Sequence, residues 1–171
     1  LNGQNNTADY YFIDNVSLSG TLIGSYINVS GTNSIAVPYN GAAIISNGTD
    51  FGTTQVAATP IVKTFTIENI GSNTINLSGS PTVQITGSSD FSVSSFPANT
   101  INTATSTTFQ ITFNPLVLGP KTAIVSIPSN ADTNNPYLFE IKGEGIQTFF
   151  DSDNDAIYDN IDIDDDNDGV L

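Results

Sequence analysis

Ser106-Thr107-Thr108-Phe109-Gln110-Ile111-Thr112-Phe113-Asn114-Pro115 is the stretch on which the fold turns. Phe109, Ile111 and Phe113 occupy alternate positions with Gln110 and Thr112 between them, and an extended chain points successive side chains to opposite faces. One face is apolar and the other polar, as in a strand half buried against a core. Asn114-Pro115 then ends the run, because Pro presets a turn and offers no N–H to a ladder. Working outward, Lys63-Thr64-Phe65-Thr66-Ile67-Glu68 repeats the device with Phe65 and Ile67 inward. Ala123, Val125 and Ile127 alternate in the same way, as do Phe139 and Ile141 around Glu140 and Lys142.

Turn residues separate these runs at Asn69-Ile70-Gly71-Ser72-Asn73, Ser78-Gly79-Ser80-Pro81, Thr86-Gly87-Ser88-Ser89, Gly119-Pro120 and Asn130 to Pro136. Gly71 is expected there to supply a positive φ. Turns recur about every ten residues, a spacing that favours a sandwich or barrel over a parallel α/β sheet. No sustained 3.6-residue period competes anywhere in residues 1–150. The expected fold class is all-β: an antiparallel immunoglobulin-like β-sandwich over residues 33–146, with about seven strands from Ile35 to Ile146. Residues 21–32 read as a linker that carries a short strand at Tyr26 to Val29. Ahead of it, Asp9-Tyr10-Tyr11-Phe12-Ile13-Asp14-Asn15-Val16-Ser17-Leu18 is a strong strand with no obvious partner. Residues 1–20 therefore have two readings, the last strand of a preceding jelly-roll-like domain or an extra edge strand of the same sandwich.

Charge divides the chain into two materials. The 171 residues carry a net charge of -14 from three Lys+Arg and seventeen Asp+Glu. Nine of the Asp fall within residues 151–171, where no basic residue stands. Such a balance repels a phosphate backbone or an anionic membrane, which argues against nucleic-acid binding. The absence of His, Cys, Met and Trp removes imidazole bases, thiolates, disulfides and Cys/His zinc sites. Asp50, Asp90, Asp132, Glu68, Glu140 and Glu144 read as surface acids rather than a glycosidase pair, and Lys63, Lys121 and Lys142 as exposed. No enzyme activity is expected. Sequons at Asn5, Asn15, Asn28, Asn47 and Asn76 reflect only the abundance of Asn, Ser and Thr. Tyr10, Tyr11 and Phe12 read as core aromatics before a sugar-stacking patch. No apolar run reaches the roughly 18 residues of a membrane span, and an opening Leu1-Asn2-Gly3 without Met or signal segment is expected of an internal piece of a longer precursor.

Residues 147–171 form an Asp-rich segment whose spacing suits calcium. Asp151, Asp153 and Asp155 take positions 1, 3 and 5 of a calcium loop. Ile157 takes position 7, where a backbone carbonyl ligates, while Asp159 takes position 9 and Asp162 position 12. A second cycle opens at Asp164, Asp166 and Asp168 with Gly169 at position 6, and is truncated at Leu171. Calcium accepts six to eight oxygens, and carboxylates at alternate residues wrap a hard cation without flanking helices. A solvated acidic tail would mix Glu with Asp and would not hold this register. Affinities of about 0.1–1 mM are expected of such an extracellular site, and Mg2+ fits less well because it keeps its waters.

Two resemblances follow from these residues. Thr49-Asp50-Phe51-Gly52, Lys63 to Gly71, Asp90-Phe91-Ser92-Val93, Ser106 to Pro115 and Asn135-Pro136-Tyr137-Leu138-Phe139-Glu140-Ile141-Lys142-Gly143-Glu144-Gly145, in this order, resemble the choice-of-anchor D domain. The Asp ladder resembles the thrombospondin type 3 repeat, with Ala156 where that pattern has Gly. These resemblances imply an exported, cell-surface or extracellular module of a multidomain bacterial protein, often of Bacteroidetes with type IX secretion. The expected function is a non-catalytic structural or adhesive module with a calcium-rigidified linker, whose partners are neighbouring domains of the same polypeptide and an extracellular glycan or protein ligand. The alternative is an accessory or carbohydrate-binding region of a secreted hydrolase.

Overall fold

A computed structural model describes residues 23–147. The expectations for residues 1–20 and for the Asp ladder lie outside the described residues. Ten strands follow one another: β1 (Ile27–Ser30), β2 (Asp50–Gln55), β3 (Ile61–Asn69), β4 (Ile75–Asn76), β5 (Gln84–Gly87), β6 (Phe91–Ser95), β7 (Thr100–Ile101), β8 (Ser106–Phe113), β9 (Gly119–Ile127) and β10 (Tyr137–Ile146). They form a four-stranded sheet in the order β1-β3-β8-β6, a second in the order β2-β10-β9-β5, and a small β4-β7 pair. This is the ABED and GFC arrangement of immunoglobulin-like sandwiches, with β2 added beside the last strand.

The alternating runs face each other as the pattern requires. Phe65, Ile67, Phe109, Ile111 and Phe113 from one sheet, and Val125, Ile127, Phe139 and Ile141 from the other, are fully or almost fully buried. Phe65 stacks on Phe109 and tilts against Phe139, with ring centroids 5.4 and 5.7 Å apart. Phe51, Phe91 and Phe113 form a second aromatic group towards one end, Phe91 stacking on Phe113 at 4.6 Å. Two aromatic groups joined by aliphatic rows make one continuous core between the sheets.

The short strand expected at Tyr26 to Val29 within residues 21–32 is present as β1, one residue later. It pairs antiparallel with β3 from Ile27 opposite Asn69 to Ser30 opposite Thr66 and buries Ile27 and Val29 in the core. Two expectations need correction. The sandwich is not wholly antiparallel, because β2 lies parallel to β10. After β1 the chain crosses to the other sheet and runs beside β10 before β2 begins: Asn40 N–H donates to Leu138 O, Glu140 N–H to Gly41 O and Lys142 N–H to Thr49 O. Asn47, inside this crossing, is completely buried. It donates to Ala36 O and accepts from the Thr49 hydroxyl at 2.7 Å and the Thr49 amide at 3.1 Å.

The second correction concerns Gly71, which has no positive φ. A Cβ there would lie 2.3 Å from Gly24 O and 2.9 Å from Tyr26 N. Gly71 is needed because the incoming chain passes directly over it.

Strand register fixes two poles. At the leading pole lie the start of β1, the end of β3 and the 128–136 loop, where Ser25 and Asp132 bond each other's backbone. At the trailing pole lie the ends of β2, β8 and β10 and the loop that joins β8 to β9: Val56 N–H donates to Ile146 O and Ala57 N–H to Pro115 O.

Candidate functional site at the trailing pole

All the metal candidates, Asp151, Asp153, Asp155, Ile157, Asp159, Asp162, Asp164, Asp166 and Asp168, lie outside the described residues, as do Tyr10, Tyr11 and Phe12. Among the described residues no group of three or more acids could hold a metal ion. The acids there act on the scaffold. Asp50 accepts from Gly52 N–H at 2.8 Å and pairs with Lys142 at 3.3 Å; Asp132 accepts from Ser25 N–H at 2.7 Å.

Two of the three lysines expected to be exposed are not. Lys63 sits on the inward row of β3, two residues before Phe65. Its ammonium donates to Asp50 O at 2.8 Å and lies 5.3 Å from the centre of the Phe51 ring. Burial lowers its pKa from the ordinary 10.5, and the Asp50 charge opposes that shift. Lys121 is on the inward row of β9 and reaches Asp90 at 3.8 Å, with side chains only 12% and 10% exposed. The alternation that identified Phe65 and Ala123 carried this signal, since Lys63 and Lys121 fall in phase with them.

The Asp90–Lys121 pair shapes the trailing pole. Asp90 accepts from Leu116 N–H at 3.3 Å, and Lys121 donates to Leu118 O at 3.2 Å. Ser88 Oγ donates to Asp90 at 3.1 Å from the other side. Both ends of the Leu116-Val117-Leu118 segment are thus tied to one ion pair, and its side chains stand outward: 66%, 62% and 54% exposed. Three consecutive exposed aliphatics held by fixed partners are unlike scattered surface apolar residues.

These side chains form one wall of an open cleft of about 600 Å3, with Val56, Ile146 and Gln147 opposite. Gly145 makes the cleft possible. A Cβ on it would meet Val117 O at 2.6 Å, Pro115 Cβ at 3.0 Å and Val56 Cγ2 at 3.4 Å, so a side chain would push the loop away from β10. Chemically the cleft can hold apolar side chains, and the charged groups beside it are engaged with each other and with the loop backbone. Sequence reasoning missed this site: Asn114-Pro115 and Gly119-Pro120 marked turns, but nothing in them indicates that the apolar residues between would face solvent.

Residues 44–144 match the model of the HYDIN/CFA65/VesB-like Ig-like domain. The chain belongs to this family. The match runs from the crossing segment to β10 and so includes both sheets, though it begins after β1. No curated protein matches this VesB-like domain in sequence. Among solved structures it resembles a Porphyromonas gingivalis protein of unknown function, at 16% identity and a TM-score of 0.50, over 75% of this chain and 50% of that one. It therefore spans half the length of that protein. It also resembles a PapD-like domain of human CEP192, at 11% identity and a TM-score of 0.47, over 83% of this chain and 98% of that one. The Vibrio cholerae VesB protease matches at 14% identity and a TM-score of 0.44, over 65% of this chain and 32% of that one. These are likenesses of fold. No helix among the described residues is long and apolar enough to cross a membrane.

Proposed function

We propose that this VesB-like Ig-like domain is a non-catalytic structural or adhesive module of an exported bacterial cell-surface protein, followed by a calcium-rigidified linker. One observation carries the reading: the Asp151 to Asp168 register opens five residues along the chain from Ile146, where the sandwich's last strand ends. The finer assignments are a choice-of-anchor D domain for the sandwich and a thrombospondin type 3-like repeat for the ladder. Asp151, Asp153, Asp155, Asp159 and Asp162 would supply carboxylates to the first ion, and Ile157 its carbonyl. Asp164, Asp166 and Asp168 would open the second site. When bound, calcium neutralises the mutual repulsion of the acids and fixes the path of the linker, so that a neighbouring domain is held at a set angle.

Isothermal titration of the chain with Ca2+ tests this. Saturable heat at about 0.1–1 mM is expected, lost in an Asp153→Asn/Asp155→Asn variant. No heat at millimolar calcium overturns the linker reading. A second reading, an accessory region of a secreted hydrolase, draws support from the family's VesB member, a protease. Glycan-array binding by a chain extended upstream of Leu1, with adhesion to protein ligands absent, would favour it.

A further inference from the structure

The trailing-pole cleft is formed in advance. Asp90 and Lys121 hold its Leu116-Val117-Leu118 wall at both ends, and Gly145 gives the loop room to lie against β10. Little ordering is left to be done when something fills it, which favours an occupant. The chain itself leaves the sandwich along the opposite wall, since Ile146 and Gln147 line the cleft. The residues that follow are Thr148-Phe149-Phe150, and after them the Asp ladder.

We propose that the occupant of this cleft is the Phe149-Phe150 pair. Phe149 lies two residues beyond Gln147, so its Cα is within about 7 Å of a residue already in the cleft wall. The tether makes the encounter intramolecular, at an effective concentration in the millimolar range or above. The chemistry is selective as well. In residues 148–171 Ile157, Ile161 and Ile163 stand among acids and amides and the Val170-Leu171 pair lies some twenty residues further on, whereas Phe149 and Phe150 are adjacent aromatics ahead of the first Asp. A calcium loop has no use for two aromatic rings before its first ligand, and an apolar cleft does.

Docking would anchor the chain one residue before Asp151 and so set the direction in which the ladder leaves the sandwich. The docking itself requires no metal and goes beyond the calcium reading. A second copy of the chain, or a domain that follows, are the competing occupants.

Methyl NMR on the full 171-residue chain decides among them, run once with excess EDTA and once with calcium. Ring-current shifts of the Leu116, Val117 and Leu118 methyls and NOEs from the Phe149 and Phe150 rings are expected in EDTA. Both are expected to vanish in a Phe149→Ser/Phe150→Ser variant whose Val125 and Ile127 methyls stay unmoved. A Leu118→Ser variant with intact rings should likewise lose the NOEs and be cleaved faster by chymotrypsin after Phe149. Identical cleft methyl spectra in the parent and double-Ser chains overturn the proposal. Shifts that grow with protein concentration overturn it in favour of a second copy. Failure of calcium to bind leaves the EDTA result standing, so the two readings fail separately.

Discussion

The two poles of the sandwich are finished by different chemistry. At the leading pole the incoming chain is knitted down by polar groups: Asn69 donates to Asn73 O and Ile101 O and accepts from Gly71 N–H. Gly24 N–H donates to Ser72 Oγ, Ser25 N–H to Asp132, and Ser129 N–H to Asn135 Oδ1. At the trailing pole one ion pair holds the backbone of a loop whose aliphatic side chains face outward. The leading pole is satisfied internally, and its loss would be felt as lost stability. Among the described residues the trailing pole leaves apolar surface uncovered, and its loss would be felt mainly as lost association, within the chain or between chains.

The largest expected effect tests the leading pole. Asn69 is 1% exposed, and Asn69→Ala strips partners from two carbonyls and an amide in a buried setting. A cost of about 2–4 kcal/mol is expected, read as a lower denaturant midpoint at unchanged m. A smaller effect follows at the trailing pole: Asp90→Ala removes an acceptor from Leu116 N–H and Ser88 and leaves Lys121 without its carboxylate. About 1–2 kcal/mol is expected, with faster hydrogen exchange at the Leu116 amide. If Asp90→Ala proves costlier than Asn69→Ala, the contrast between the poles is broken.

The smallest effect sharpens the contrast through pH. Tyr137, in the leading half of β10, is buried and donates to Val37 O at 2.7 Å. Burial raises its pKa above the ordinary 10.0. The folded state therefore keeps a proton that the unfolded chain releases, and this contribution is full below pH 10 and lost as pH rises through the folded value. Lys63 has the opposite sign: its folded pKa is lowered, so the cost of burying its charge is present at neutral pH and relieved as pH rises towards 10.5. Tyr137→Phe should cost about 1 kcal/mol at neutral pH and flatten the alkaline limb above pH 10 in urea melts. An unchanged alkaline limb would mean that Tyr137 does not carry it.

Much of the fold was legible because it rests on a period of two. Phe65, Ile67, Phe109, Ile111, Phe113, Val125, Ile127, Phe139 and Ile141 each sit on the face that alternation assigned to them. What alternation does not contain is partner choice. The parallel pairing of β2 with β10 depends on a chain crossing whose course is set by buried side-chain bonds of Asn47 and Thr49. Nor does composition distinguish a Gly needed for its φ from one needed for a close approach, as at Gly71. Charge counting makes the acids surface groups because it ignores where the third dimension places an amide, and Asp90 meets its partners at Leu116 and Lys121 from far along the chain. The ladder's register is legible in sequence alone, and its test remains the titration.

The parallel pairing of β2 and β10 bears on how the domain would respond to force. The chain enters at one pole and leaves at the other, and β10 runs down to the exit with β2 alongside it from Asp50 opposite Lys142 to Gln55 opposite Ile146. Tension drawn between the two ends would slide these strands past one another instead of peeling them apart. Their hydrogen bonds would then share the load that reaches β2 once it has passed the β1–β3 pairing.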